Sequence, residues 1–226
     1  MLRKRTINKL RRLLHVLLFL PAVIGIVMAV RRTLVLAGVI GSFNPPGMSR
    51  NSPPFDAEFG RHPFLTLIHI LPGALFMILG PFQFIPGIRS RYLRFHRLSG
   101  RIYIASAYII GISALIMSFV LSPIGGINQA VATILFAILF LVSLSKAWWH
   151  ILRRRIALHR EWMIRAFSIG LAIGTIRPLM VLFFAFSGLP PQVFFGTAFW
   201  IGFTIHALAA EVWINYTRIS PSFSQA

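Results

Sequence analysis

Cysteine is absent from the 226 residues, which removes disulfides, iron–sulfur ligation, CxxCH haem attachment and thiol nucleophiles in one step. Acid is nearly absent too. The four carboxylates, Asp56, Glu58, Glu161 and Glu211, are too dispersed to promise paired-carboxylate catalysis or an oxygen cage for a hard metal. No GxSxG, HExxH or P-loop phrase occurs, so hydrolytic and nucleotide-driven mechanisms rank last.

What is present is apolar and basic. Hydrophobic residues make up 57% of the chain and the mean hydropathy is +0.77. A water-soluble protein of this length could not solvate that surface, so the bilayer is the expected solvent and partner. The net charge of +19 would suggest nucleic acid if it covered a soluble face. It gathers instead at the ends of apolar runs, and no nucleic-acid partner is expected.

A hydrocarbon core of roughly 30 Å takes about 20 apolar residues per helix. Six segments qualify, near 13–30, 63–86, 102–121, 129–150, 162–187 and 193–214. The sequence therefore predicts an all-α polytopic membrane protein, a bundle of about six transmembrane helices forming one domain over 1–226. Its parts are a basic amino terminus at 1–12, an outer loop at 31–62, core helices within 63–214 and a tail at 215–226. The first apolar run is expected to stay as an uncleaved anchor, because Arg31 and Arg32 follow it without a small-x-small cleavage site. The prolines and glycines of "NPPGMSRNSPPFDAEFGRHP" predict an irregular loop over the outer mouth.

Lys and Arg are dense in 3–12, 89–101 and 146–165 and recur at Arg218, whereas the opposite side carries Arg31, Arg32, Arg50 and Arg61. The positive-inside bias then predicts a multi-pass protein of the plasma or inner cell membrane with both termini cytoplasmic. Arginine-rich inner rims of this kind attract anionic phospholipid head groups.

Two related phrases, "HRLSGRIY" at His96–Tyr103 and "HREWMIRAF" at His159–Phe167, each open an inside-to-outside helix. They suggest a duplicated helical hairpin. Together with "HILPGALFMILGPFQF" from His69 and "TIRP" ending at Pro178, these motifs resemble the predicted membrane protein family called domain of unknown function 2306. The resemblance covers roughly residues 60–215 and implies a multi-helix membrane fold, but the family name carries no activity.

Ionisable groups inside a bilayer are expensive, about 2.5–3.5 kcal/mol for a central Arg, Lys or Asp, so each requires a partner or a cavity. His69, Arg177, His206 and Glu211 lie within spans. At about 1.5 Å of rise per residue, His69 and Arg177 reach a similar outer depth and can share a pocket, while His206 falls nearer the midplane. Glu211 approaches the inner face, where Arg97, Arg101, Arg160 and Arg165 are available.

His69 offers a metal or haem lone pair, or bonds a carbonyl freed by Pro72. Arg177, beside carbonyls freed by Pro178 that a guanidinium can cap, anchors an anionic head group, a haem propionate or a quinone oxygen, or else is a helix–helix clamp. His96 and His159 open facing helices and form a candidate axial pair with flanking arginines for propionates; the plainer reading is a lipid-facing edge. A His69–His206 pair would need a depth difference of about 10 Å to close. His150 with Trp148 and Trp149 reads as an interfacial belt, and the small residues of "SAYIIGISA" as a close helix contact.

The first functional expectation is a b-type haem electron-transfer protein resembling cytochrome b561-type bundles. Its haem b iron would be held by His69, His96 and His159, with His206 and Arg177 completing the cofactor site and a quinone or redox protein as partner. The alternative is non-redox: a binding or transport protein for an anionic small molecule or lipid, or an accessory subunit of a membrane complex.

Overall fold

The computed structural model describes residues 2–42 and 56–219, with 2–15, 17 and 219 as backbone alone. Among the described residues eight helices follow one another: α1 (Leu2–Leu36), α2 (Ala57–Arg61), α3 (Pro63–Gln83), α4 (Pro86–Arg91), α5 (Leu93–Val120), α6 (Gly126–Leu152), α7 (Ile156–Phe186) and α8 (Pro191–Ile219). All but α2 and α4 are long and apolar enough to cross a membrane. The 21 residues of α3 rise about 1.5 Å each, which matches the hydrocarbon core. No strand occurs among the described residues. The protein is thus an all-helical membrane protein with six spanning helices.

Local chemistry sets the helix ends. Pro63 and Pro86 stand at the first positions of α3 and α4, where the fixed φ suits a helix and the missing N–H costs nothing. The α5–α6 turn uses Gly126 at φ 56° and the α7–α8 turn uses Gly188 at φ 62°, a left-handed conformation that glycine adopts without strain.

α7 is the hub, packed against α1, α6 and α8. It meets α3 by a reciprocal fit. A Cβ at Gly80 of α3 would lie 2.3 Å from the Phe167 ring of α7, and one at Gly170 of α7 would lie 2.5 Å from the Phe76 ring of α3. Each helix therefore presents a phenyl to the other's glycine, the close packing that substitutes for a hydrophobic driving force in lipid. The "SAYIIGISA" stretch does the same toward α6, since a Cβ at Gly111 would meet Leu141 at 2.6 Å. Outward, large apolar side chains such as Val23, Leu71, Ile112, Ile138 and Leu182 stay exposed, as lipid-facing positions do.

Phe76 stacks on Tyr103 at 4.7 Å and Phe84 on Phe167 at 4.8 Å. This aromatic layer crosses the bundle. On one side of it lies the arginine-rich end, where α5, α7 and α8 carry their basic turns; on the other lies a cavity.

Three expectations change. α5 and α7 begin at Leu93 and Ile156, rather than near 102 and 162, because turns facing head groups are as helical as the apolar turns that follow. α1 runs on through Arg31 and Arg32 to Leu36, and Ala57–Arg61 is helical, so neither stretch belongs to an irregular loop; arginine is a good helix former, and Asp56 pairs with both arginines there. Residues 43–55 of that loop, Arg50 included, lie outside the described residues, as do residues 220–226. Finally, Trp148 and Trp149 are exposed as a belt requires, but His150 is buried, its ring edge-on to that of Trp149 at 4.8 Å.

Candidate ligand site

Within the end of the bundle opposite the basic turns is a cavity of about 530 Å³, walled by residues from all six spanning helices and by α2. That volume falls in the range of small-molecule sites, roughly 300–1,000 Å³. Phe76, Phe136, Phe140 and Phe199 supply apolar wall, and His69, Arg31, Arg32 and Arg177 supply polar wall. His69 and Arg177, matched in depth by helical rise, thus face one space.

Arg177 is the least satisfied of these groups. Its Nη1 reaches only the Met180 sulfur at 3.8 Å, and its Nε is buried without a partner. It does not clamp carbonyls around Pro178. A guanidinium lining a largely apolar cavity with a buried N–H left unpaired and another spent only on a weak sulfur acceptor is a poor structural element and a good anion receptor.

Beside it, Asp56 gathers two further arginines. Arg31 donates to its carboxylate at 3.3 and 2.8 Å and Ser42 at 3.1 Å. Arg32 Nη1 stands 2.7 Å from Oδ1 yet is not aligned as a hydrogen bond, and its guanidinium stacks 3.7 Å over Phe59. Burial pushes the Asp56 carboxyl up, but the hydrogen bond from Arg31 and the charges of Arg32 and Arg31 outweigh it and hold the group below its ordinary value. Glu58 is engaged with Arg61 at 2.5 Å and the Ser122 N–H. The three cavity arginines thus have Asp56 beside them and one wall carboxylate, Glu58, that is already engaged, so the site keeps an excess of positive charge.

His69 adds an acceptor. Its Nδ1 is 2.9 Å from Ser113 Oγ, whose single proton goes to the Ile109 carbonyl at 2.6 Å. The hydroxyl oxygen then receives the His69 Nδ1–H, and a neutral ring keeps its Nε2 lone pair. The partners are Ser113 Oγ and the Ile110 carbonyl, both on α5, rather than a carbonyl near Pro72.

The model of the family described as predicted membrane protein (DUF2306) matches residues 66–214. The chain belongs to this family. No curated protein and no solved structure matches it. The family stretch holds five of the six spans and the residues His69, His96, His159, Arg177 and His206. α1, with Arg31 and Arg32, and Asp56 lie before it, so this part of the cavity wall is built by sequence outside the family match.

The remaining candidates are placed elsewhere. His206 is not a wall residue of the cavity; its Nε2 meets Thr175 Oγ1 at 2.8 Å and its carbonyl accepts from Ser168 at 2.6 Å, an α7–α8 tie. Glu211 is held by Arg165 at 2.5 and 2.9 Å, and both Glu161 oxygens are held by Arg218. His96 and His159 come within electrostatic reach of each other at the basic end, far from His69 in the bundle. Among the described residues no three His, Cys, Asp or Glu converge on a metal position.

Proposed function

We propose that this protein binds a small amphipathic anion, with its acid group on Arg177 and Arg32 and its apolar body against the phenylalanines. The observation that carries this reading is Arg177 on the wall of a cavity of about 530 Å³, its Nε buried without a partner and its Nη1 on the Met180 sulfur. The charge asymmetry along the chain supports a cavity that opens on the non-cytoplasmic side. Reporter fusions after Pro123 and Pro190 should therefore be silent for a cytoplasm-dependent reporter; activity at both positions reverses the orientation.

The binding test uses purified protein in maltoside micelles and a set of medium-chain and aromatic monocarboxylates beside their uncharged amides. The acids should raise the melting temperature and the amides should not. A hydrogen bond to a charged group is worth about 1.5–3 kcal/mol, so Arg177→Ala should weaken the acids by roughly 10- to 100-fold. Equal stabilisation by acid and amide, or an unchanged Arg177→Ala titration, removes the proposal.

A b-type haem is a second reading of the same cavity, favoured by the His69 Nε2 lone pair lying beside arginines suited to propionates. When bound, haem would supply one-electron chemistry; His69 would hold the iron and Arg32 and Arg177 the acid groups. His206, spent on Thr175, is not offered as a second ligand. A Soret band in protein from haem-replete cells, absent in His69→Ala, selects this reading over the colourless one.

A further inference from the structure

Five of the spanning helices close a ring: α1 packs on α3, α3 on α5, α5 on α6, α6 on α7, and α7 returns to α1. The cavity is the wide part of its lumen. Its floor includes Phe76 of α3 and Phe140 of α6, whose rings meet edge to face at 5.8 Å. Beyond that floor Tyr103 of α5 stacks on Phe76 at 4.7 Å, and Phe167 of α7 stands edge-on to Tyr103 at 6.2 Å. Four ring helices thus each give one aromatic side chain to a plug between the cavity and the basic end.

One member of the plug is chemically out of place. Tyr103 is fully buried and its hydroxyl has no partner among the described residues. Phenylalanine would pack the same space without stranding a polar group where no lipid atom can bond it. Nor is the hydroxyl alone. His96, two turns earlier on the same face of α5, keeps a buried Nδ1 that is likewise unpartnered. Ser99, between them, is buried and accepts from Gln83 Nε2 of α3 at 2.8 Å. Polar groups therefore continue along the α3–α5 contact from the plug toward the basic end, where a sealed membrane core would be apolar.

From this arrangement we infer that the ring is a path across the membrane for the anion the cavity binds: Phe76, Phe140 and Phe167 are its gate, and the Tyr103 hydroxyl is the donor that the passing acid group meets. The inference rests on the binding reading above and adds transport to it. A constriction of aromatic rings closes a pore by excluding water. A phenol within it supplies the hydrogen bond that an all-apolar plug would deny an anion. Arginines stand at both ends of the path, with Arg31, Arg32 and Arg177 on the cavity wall and the basic turns of α5 and α7 beyond the plug, so both mouths favour negative charge. An amphipathic ligand suits such a gate, because its body passes among rings while its acid group moves between donors.

The probe is naphthalenesulfonate, which stays ionised at every working pH and so does not cross lipid as a neutral acid. Melting temperature in maltoside micelles reports its binding, and release from preloaded phosphatidylcholine proteoliposomes reports its passage. Wild type should bind the probe and release it faster than protein-free vesicles do. Tyr103 is not a wall residue of the cavity, so Tyr103→Phe should melt no lower than wild type and bind equally well, yet release about tenfold more slowly. Tyr108→Phe removes another hydroxyl of α5, one bonded to Ser145 Oγ at 2.9 Å, and should release as wild type does. Wild-type release no faster than that of empty vesicles overturns the path, while stabilisation in micelles keeps the binding reading. Equal release by wild type and Tyr103→Phe, or an equal fall in both tyrosine variants, overturns it too. A probe that fails to stabilise wild type in micelles removes the binding reading itself, and the path with it.

Discussion

Asp56→Asn should destabilise the protein and, in the same variant, tighten the binding of an acid in the cavity. The carboxylate side chain is 3% exposed and those of Arg32 and Arg31 are 9% and 25% exposed. Removing one partner of a buried pair costs about 3–5 kcal/mol, because the other charge is left buried without compensation. The exposure of Arg31 places the expected loss near the low end, about 3 kcal/mol. Adding Arg32→Met to Asp56→Asn should restore part of the loss, since the orphaned charge goes with it. The tighter acid binding follows from the same count: Arg31, Arg32 and Arg177 would have no carboxylate available but the ligand's, since Glu58 on the same wall is engaged with Arg61. A thermal shift within about 0.5 kcal/mol of wild type would deny the latch, and unchanged or weaker acid binding would deny its link to the cavity.

The latch also sets a pH dependence of definite sign. Asp56 is held below its ordinary value of 3.8, so the folded state favours the ionised carboxyl. Its contribution is complete above 3.8 and is lost as pH falls through the lowered value. Wild type and Asp56→Asn should therefore converge in stability when scanned from about pH 5 down to about pH 2. A constant gap across that range would assign the stabilisation to shape rather than charge.

The spans were legible in the sequence because lipid imposes a coarse requirement, about 20 apolar residues with charge held at the ends, and this chain meets it six times. Part of the cavity was legible for the same reason: His69 and Arg177 stand on antiparallel helices at computable depths. The arrangement around Asp56 was not. Arg31 and Arg32 resemble a terminus of the first span in sequence, and their partner is a carboxylate at the far side of a long connection, which periodicity does not report. Nor does periodicity report that His69 would choose Ser113 over a carbonyl freed by Pro72, since that choice is set by the facing helix. The two acids, Asp56 and Glu58, in an otherwise basic outer loop were the available signal for the latch; for Ser113 the sequence offers none.

Gly174 carries the other large expected effect. It lies on α7 against Pro21 of α1, and a Cβ there would stand 2.1 Å from the Pro21 carbonyl oxygen and 2.6 Å from its carbon. Those are backbone atoms, so no side-chain rotation relieves the clash and α1 itself must move. α1 packs against α3 and α7 and brings Met28, Arg31 and Arg32 to the cavity, so a displaced α1 draws two of the three arginines away from Arg177. Overpacking of a tight contact costs about 1–3 kcal/mol, partly offset by the better helix propensity of alanine, about 1 kcal/mol over glycine. Gly174→Ala should still be destabilised, Gly174→Leu more so, and both should lose acid binding although neither residue carries charge. Gly73 of α3 is the comparison. A Cβ there would meet Ile110 at 3.8 Å, an ordinary contact, so the propensity gain stands unopposed and Gly73→Ala should be neutral or more stable. If the two alanine variants shift in the same direction, the close approach of α1 to α7 does not govern the bundle, and the cavity wall must be held by the Asp56 latch alone.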